Sequence, residues 1–214
     1  MTFSTQMGTL HLGLTSKCTL KCPECVRTMT PLWRPHWRRL HEMKQIDWHN
    51  YTSLLNHLQF RQILFCGNWG DPIYYPQLIP FCKWIVQHIP QPVVIHTNGS
   101  YKTREFWQEL GETLRPRDRI IFSIDGFIDN DQYRVNNDKR TRLIGLNTLL
   151  ECNRRPQVIQ KCIVFSYNQD DLEQIAVQSK QLGFDRIGFN PAWISDEEWL
   201  RPDDDREFPY YSEV

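Results

Sequence analysis

The order of elements predicts an α/β fold, a partial (β/α)6 TIM-like barrel with parallel strands inside and external helices. Three observations predict it. Short apolar, β-branched runs alternate with longer runs of helical period along the chain. The count is six strand-like and five helix-like stretches. Four loops rich in Cys, Gly, Asp and Asn directly follow strand-like runs. Alternation of this kind joins parallel strands by right-handed crossovers, and six units are too few to close an eight-stranded barrel. In such folds ligands gather at the C-terminal ends of the strands, so the four loops should face one cleft.

The first strand is expected over residues 9–14, followed by the cysteine loop. A long loop with Pro31 and Pro35 is expected over 27–46. Asp47 then caps a helix to about residue 59, where Trp48, Leu54, Leu55 and Leu58 give helical spacing. A strand over 62–66 runs into Gly67-Asn68-Trp69-Gly70-Asp71-Pro72, too rich in Gly and Pro for regular structure. Residues 76–88 read as a helix and 92–96 as a strand ending in Thr97-Asn98-Gly99-Ser100, a turn sequence. A helix over 103–114, with Thr103 as cap, leads to a strand over 119–124 that ends at Ser123-Ile124-Asp125-Gly126. The remaining pattern is helix 139–152, strand 158–165, helix 170–182 stopped by Gly183, and strand 186–189. The expected organisation is one core domain over 1–194 and an acidic C-terminal tail over 195–214.

A chain of 214 residues suits a single hydrophobic core. Lys plus Arg and Asp plus Glu are 25 each, so net charge argues for neither a nucleic acid nor a membrane partner. No apolar run approaches the ~18 residues of a membrane span, and the first residues carry no basic and apolar leader pattern. The expected location is cytoplasmic. Seven cysteines, three of them crowded, suit metal binding in a reducing compartment better than a disulfide framework.

Those three stand in Cys18-Thr19-Leu20-Lys21-Cys22-Pro23-Glu24-Cys25, a C-x₃-C-x₂-C spacing. Three thiolates in one loop can converge on one metal centre. Structural zinc prefers four protein ligands, which here would need a His beside Cys18, Cys22 and Cys25. A cubic iron–sulfur cluster held by three cysteines keeps one iron open to a small molecule.

With the later loops included, residues 9–192 resemble the radical S-adenosylmethionine (radical SAM) enzymes, whose C-x₃-C-x₂-C motif follows the first strand. The resemblance implies that Cys18, Cys22 and Cys25 hold a 4Fe–4S cluster whose open iron chelates S-adenosylmethionine. It implies reductive cleavage to a 5′-deoxyadenosyl radical that abstracts hydrogen from a substrate. Trp69-Gly70-Asp71-Pro72 resembles the family's Gly-Gly-Glu-Pro loop, so Gly70 and Asp71 are expected to hold the methionine end. Asp replaces Glu there and shortens the reach by one carbon. Ser123 and Asp125 resemble the ribose and carboxylate region, with Asn98 nearby. Asn190, in Gly188-Phe189-Asn190-Pro191, resembles the segment beside the adenine. No catalytic side chain is assigned.

Two departures stand out. Glu24 occupies a position that is often aromatic in the family. No cysteine follows Cys162, so the chain reads as a minimal core without a C-terminal auxiliary-cluster domain. An external one-electron reductant of flavodoxin or ferredoxin type is the implied partner. The preferred substrate is a peptide or protein, with a nucleoside or RNA as the alternative. A non-catalytic metal-binding module is the reading of a different class.

Residues 27–44 interleave Trp33 and Trp37 with Arg34, Arg38 and Arg39. Such a segment can hold phosphate and stack bases, bind an acidic peptide, or pack its Trp rings while the Arg heads stay solvated. Cys66, Cys82, Cys152 and Cys162 read as small buried hydrophobes.

Overall fold

The computed structural model describes residues 7–33, 60–67, 69–128, 132–192 and 212–213. Six parallel strands pair in chain order: β1 (Met7–His11), β2 (Phe60–Phe65), β3 (Val93–Thr97), β4 (Arg119–Ser123), β5 (Gln157–Val164) and β6 (Arg186–Pro191). They curl into a half-barrel with helices around it. Among the described residues the helices are α1 (Val26–Trp33), α2 (Leu78–His88), α3 (Arg104–Thr113), α4 (Lys139–Glu151) and α5 (Leu172–Gln181), with a 3₁₀ turn over Pro72–Tyr74. The α/β half-barrel expected from the alternating pattern is therefore the fold observed.

Burial explains why the strands read as they do. Along β4 and β5 every second residue is buried and its neighbours are partly exposed. The buried set faces the helices. Ile63, Phe65, Ile95, Ile120, Phe122 and Val158 pack there against Leu78, Phe81, Ile85, Trp107, Leu110, Leu146 and Leu149. Each such side chain contributes roughly 1.5–3 kcal/mol by leaving water. The other set lines the concave side, where polar residues are tolerated because that side opens to a cavity.

Two Asp–Arg staples fix the strand starts at the end opposite the loops. Asp118 accepts hydrogen bonds from the Val93 N–H (2.8 Å) and from Arg115, whose guanidinium also donates to the Ile89 and Gln91 carbonyls. Asp185 accepts from Arg155 and from the Val158 N–H (2.7 Å). These bonds occupy carboxylates that burial would otherwise penalise.

Three differences from the sequence reading have local causes. Residues 26–33, expected within a loop, are helical. The Cys25 carbonyl starts that helix by accepting from the Thr28 and Met29 N–H groups (2.7 and 2.9 Å). A short strand, β7 (Ser212–Glu213), lies antiparallel to β6 within the stretch read as an acidic tail. Thr103 precedes α3 but makes no side-chain cap, whereas Asp138 caps α4 through the Thr141 N–H. Gly183 ends α5 with φ of 87° as expected. The expected helix over 47–59 and Arg34, Arg38 and Arg39 lie outside the described residues. Among the described residues no helix is long and apolar enough to cross a membrane.

Candidate metal and cofactor centre

A cavity of about 230 Å³ opens at the C-terminal ends of the strands. Cys18, Cys22 and Cys25 line it together with Gly70, Asp71, Asn98 and Ser123. Loops that follow β1, β2, β3 and β4 therefore meet at one place. All seven cysteines are free thiols.

Hydrogen bonds from three directions shape the cysteine loop. The Cys25 N–H donates to the Cys22 carbonyl (3.2 Å), which forms a turn between the last two thiols. Arg27, on the first turn of α1, reaches back to the Ser16 and Leu20 carbonyls (3.1 and 3.2 Å). The Lys21 N–H donates to the Val135 carbonyl (3.0 Å), and Thr19 shares a 2.5 Å hydrogen bond with the Tyr74 hydroxyl.

Gly70 is required by close approach. A Cβ there would stand 2.3 Å from the Thr15 carbonyl oxygen and 2.7 Å from the Ser16 carbonyl carbon. This contact lets the Asp71 N–H donate to the Lys17 carbonyl (2.9 Å), joining the second loop to the entry of the first.

Asp71 is buried and holds the third loop in place. Its Oδ2 accepts from Thr97 Oγ1 (3.0 Å), the Asn98 N–H (2.7 Å) and Asn98 Nδ2 (2.5 Å). Its Oδ1 accepts from the Ile73 N–H (3.1 Å), capping the 3₁₀ turn. Burial pushes its carboxyl up to about 6 despite these donors. A carboxylate oxygen has about two acceptor positions, so Oδ1, with one donor, keeps room for another. Asn98 Nδ2 also donates to Cys18 Sγ (3.7 Å), and Asn98 Oδ1 accepts from the Ser100 N–H.

Asp125 lies behind the cavity. It is fully buried, does not line the cavity, and accepts from Arg134 (2.5 and 3.1 Å) and the Ile163 N–H (3.0 Å). Arg134 lines the cavity in its place. Asn190 lies on β6 opposite Ile163 and is not among the lining residues.

Sequence reasoning passed over His96, Arg134 and Lys161, which line the cavity together with Arg27, the first residue of the basic segment 27–44. His96 and Lys161 did carry a signal. His96 interrupts the apolar run of β3, and Lys161 is a charge within β5, at a position whose neighbours in sequence are buried. Arg134 sits in an irregular turn and carried none. Burial, and then the charges of Lys161, His11 and Arg119, push the His96 imidazole down to about 4.

Burial pushes the Cys18 thiol up to about 11, with the Asp71 charge adding to it. It pushes Cys22 up to about 12, with Arg134 opposing. Protons held this firmly are displaced by a metal cation, whose own charge stabilises the thiolate. Among the described residues, no group of three or more Cys, His, Asp or Glu could hold one metal ion. A tetrahedral zinc needs its donors gathered at about 2.0–2.3 Å from one point. The three thiols instead border a shared cavity. That arrangement fits a polynuclear iron–sulfur group, in which each thiolate takes a different iron.

No family model matches the chain, and no curated protein matches it. Solved structures do match in fold. One is anSMEcpe with bound AdoMet, at 14% identity and TM-score 0.64, over 90% of this chain and 53% of that one. Methylornithine synthase (PylB) matches at 10% identity and TM-score 0.67, over 93% and 58%. SuiB of Streptococcus suis bound to S-adenosylmethionine matches at 11% and 0.67, over 91% and 43%. The chain spans about half the length of the solved structures it matches. Its strand order, its cavity at the strand ends and these likenesses agree: the chain shares the half-barrel fold of these solved structures.

Proposed function

We propose that the chain is a radical SAM enzyme. Cys18, Cys22 and Cys25 hold a 4Fe–4S cluster, and S-adenosylmethionine binds beside it. The observation that carries this reading is the shared cavity, which brings the three thiols against Gly70, Asp71 and Asn98. When bound, the cluster and the sulfonium supply one-electron cleavage and a radical able to take hydrogen from the substrate. The chain supplies position and dryness. Asp71 Oδ1 faces the methionine amino group, and Asn98 donates to Cys18 and orients it. Arg134, braced by Asp125, offers a guanidinium to the cofactor carboxylate, with Ser123 beside it.

The substrate is a peptide or protein side chain. An open half-barrel admits a large molecule from the side. Two of the matched structures, both of anSMEcpe, hold AdoMet with a peptide. Electrons come from an external carrier of flavodoxin or ferredoxin type.

Anaerobic reconstitution with iron and sulfide tests the cluster. The expected result is a broad visible absorption and about four irons per chain, as for a 4Fe–4S centre. Replacing any one of Cys18, Cys22 or Cys25 with Ala should abolish it, while Cys82→Ala should not. Tight zinc with no iron–sulfur absorption would contradict the reading.

A further inference from the structure

One side of the cavity is not used by the reading above. His96 on β3 and Lys161 on β5 lie on the concave face, paired with Ile121 and Ser123 of the strand between them. Adjacent strands lie about 4.8 Å apart, so the two backbones stand on the order of 10 Å apart. A lysine and an imidazole can close that span from both sides onto a small two-oxygen group.

Among the described residues the Lys161 side chain has neither a hydrogen bond nor an ion pair, and the His96 ring has no hydrogen bond. The neighbouring acids are already occupied. Asp71 accepts from Thr97, Asn98 and Ile73, and Asp125 accepts from Arg134 and Ile163. The surrounding charge is positive: Arg119 starts β4 and donates to Gln62, and His11 ends β1. A lysine cation without a counter-charge, beside an imidazole donor in a partly buried cavity, favours an anion.

The charge count selects which anion. The His96 imidazole is neutral near pH 7, held there by burial and the nearby cations. The pair then offers one positive charge and one neutral N–H donor. That matches a carboxylate, with one charge and two oxygens, and leaves a dianionic phosphate undercompensated.

We propose that Lys161 and His96 form the subsite that anchors a carboxylate of the substrate. The charged end of an acidic side chain or a C-terminal carboxylate is held on β3 and β5. Its neighbouring carbons then extend toward the cysteine loop. This deepens the enzyme reading and rests on it for the word substrate, but the anion site itself can be tested without a cluster.

Calorimetric titration of glutarate into the full chain, before and after anaerobic reconstitution, is the test. Glutarate should bind both forms, and glutaramide should bind neither. Lys161→Met and His96→Phe should each weaken glutarate binding about tenfold or more, the loss typical of a charge-assisted contact. Lys161→Arg, which keeps the charge, should retain it. If Lys161→Met fails to fold, Lys161→Gln carries the same expectation. Glutarate that does not bind the wild-type chain, or binds the neutral variants equally well, would overturn the proposal. So would inorganic phosphate binding more tightly than glutarate. An equal loss of S-adenosylmethionine affinity in Lys161→Met would assign the pair to the cofactor instead and overturn the proposal. A chain that takes up no iron yet binds glutarate through Lys161 and His96 would refute the enzyme reading and support the anion site.

Discussion

Asp71 combines a place in the cavity lining with a structural task. Its bonds to Thr97 and Asn98 tie the loop after β2 to the loop after β3, and its bond to Ile73 caps its own turn. Its folded-state value of about 6 lies above its ordinary 3.8 because it is buried. The folded chain therefore favours the protonated form. The cost of ionising it is absent below about pH 4, grows through the window from 3.8 to about 6, and is complete above it. The two ends differ by on the order of 3 kcal/mol. Urea unfolding of wild type and Asp71→Asn across pH 4 to 7 should show the wild type losing ground to the variant by that order as pH rises. A flat difference would contradict the assignment. Gly70 gives a second test. Ala there drives a Cβ into the Thr15 and Ser16 backbone, and should cost about 1–3 kcal/mol and lower iron uptake, measured by thermal unfolding and iron content. Normal stability and iron loading in Gly70→Ala would show that the contact is not required.

At the scale of elements, α4 supports the loop after β3. Arg142 is buried on it and donates from Nε to the Asn98 carbonyl (2.9 Å) and from Nη2 to Asn137 Oδ1 (2.5 Å). Ser100 Oγ donates to the same Asn137 oxygen, so helix, turn and strand end form one unit. Arg142→Met should destabilise the chain by roughly 2–4 kcal/mol through lost bonds to a charged donor. It should also weaken S-adenosylmethionine binding by releasing Asn98; unchanged affinity would separate the helix from the site. In sequence, Arg142 looks like any solvent-facing helical charge, so this role was not legible. The strands were legible because β-branched runs stand between turn residues, and the cysteine spacing and Gly-Asp-Pro loop were legible because their chemistry is local. Helix α1 was hidden by Pro31 and the basic residues around it, since a carbonyl of the cysteine loop starts it. Strand β7 was hidden because two residues form a strand only when an edge such as β6 is offered. Arg134 was hidden because its place at the cavity depends on its bonds to Asp125.

Across the whole molecule the sheet divides its labour by face. The convex face is apolar and packs against helices, while the concave face carries His96, Lys161 and Arg119 below the loops that follow β1 to β4. Parallel strands bring every loop to the same end, so residues far apart in sequence, such as Cys18 and Asn98, come within 3.7 Å. The central claim is that this end holds a cluster which cleaves S-adenosylmethionine. The most direct measurement is anaerobic incubation of the reconstituted chain with dithionite and S-adenosylmethionine, followed by assay for 5′-deoxyadenosine. The account predicts 5′-deoxyadenosine formation that requires Cys18, Cys22 and Cys25. A fully loaded cluster that leaves S-adenosylmethionine intact would contradict it.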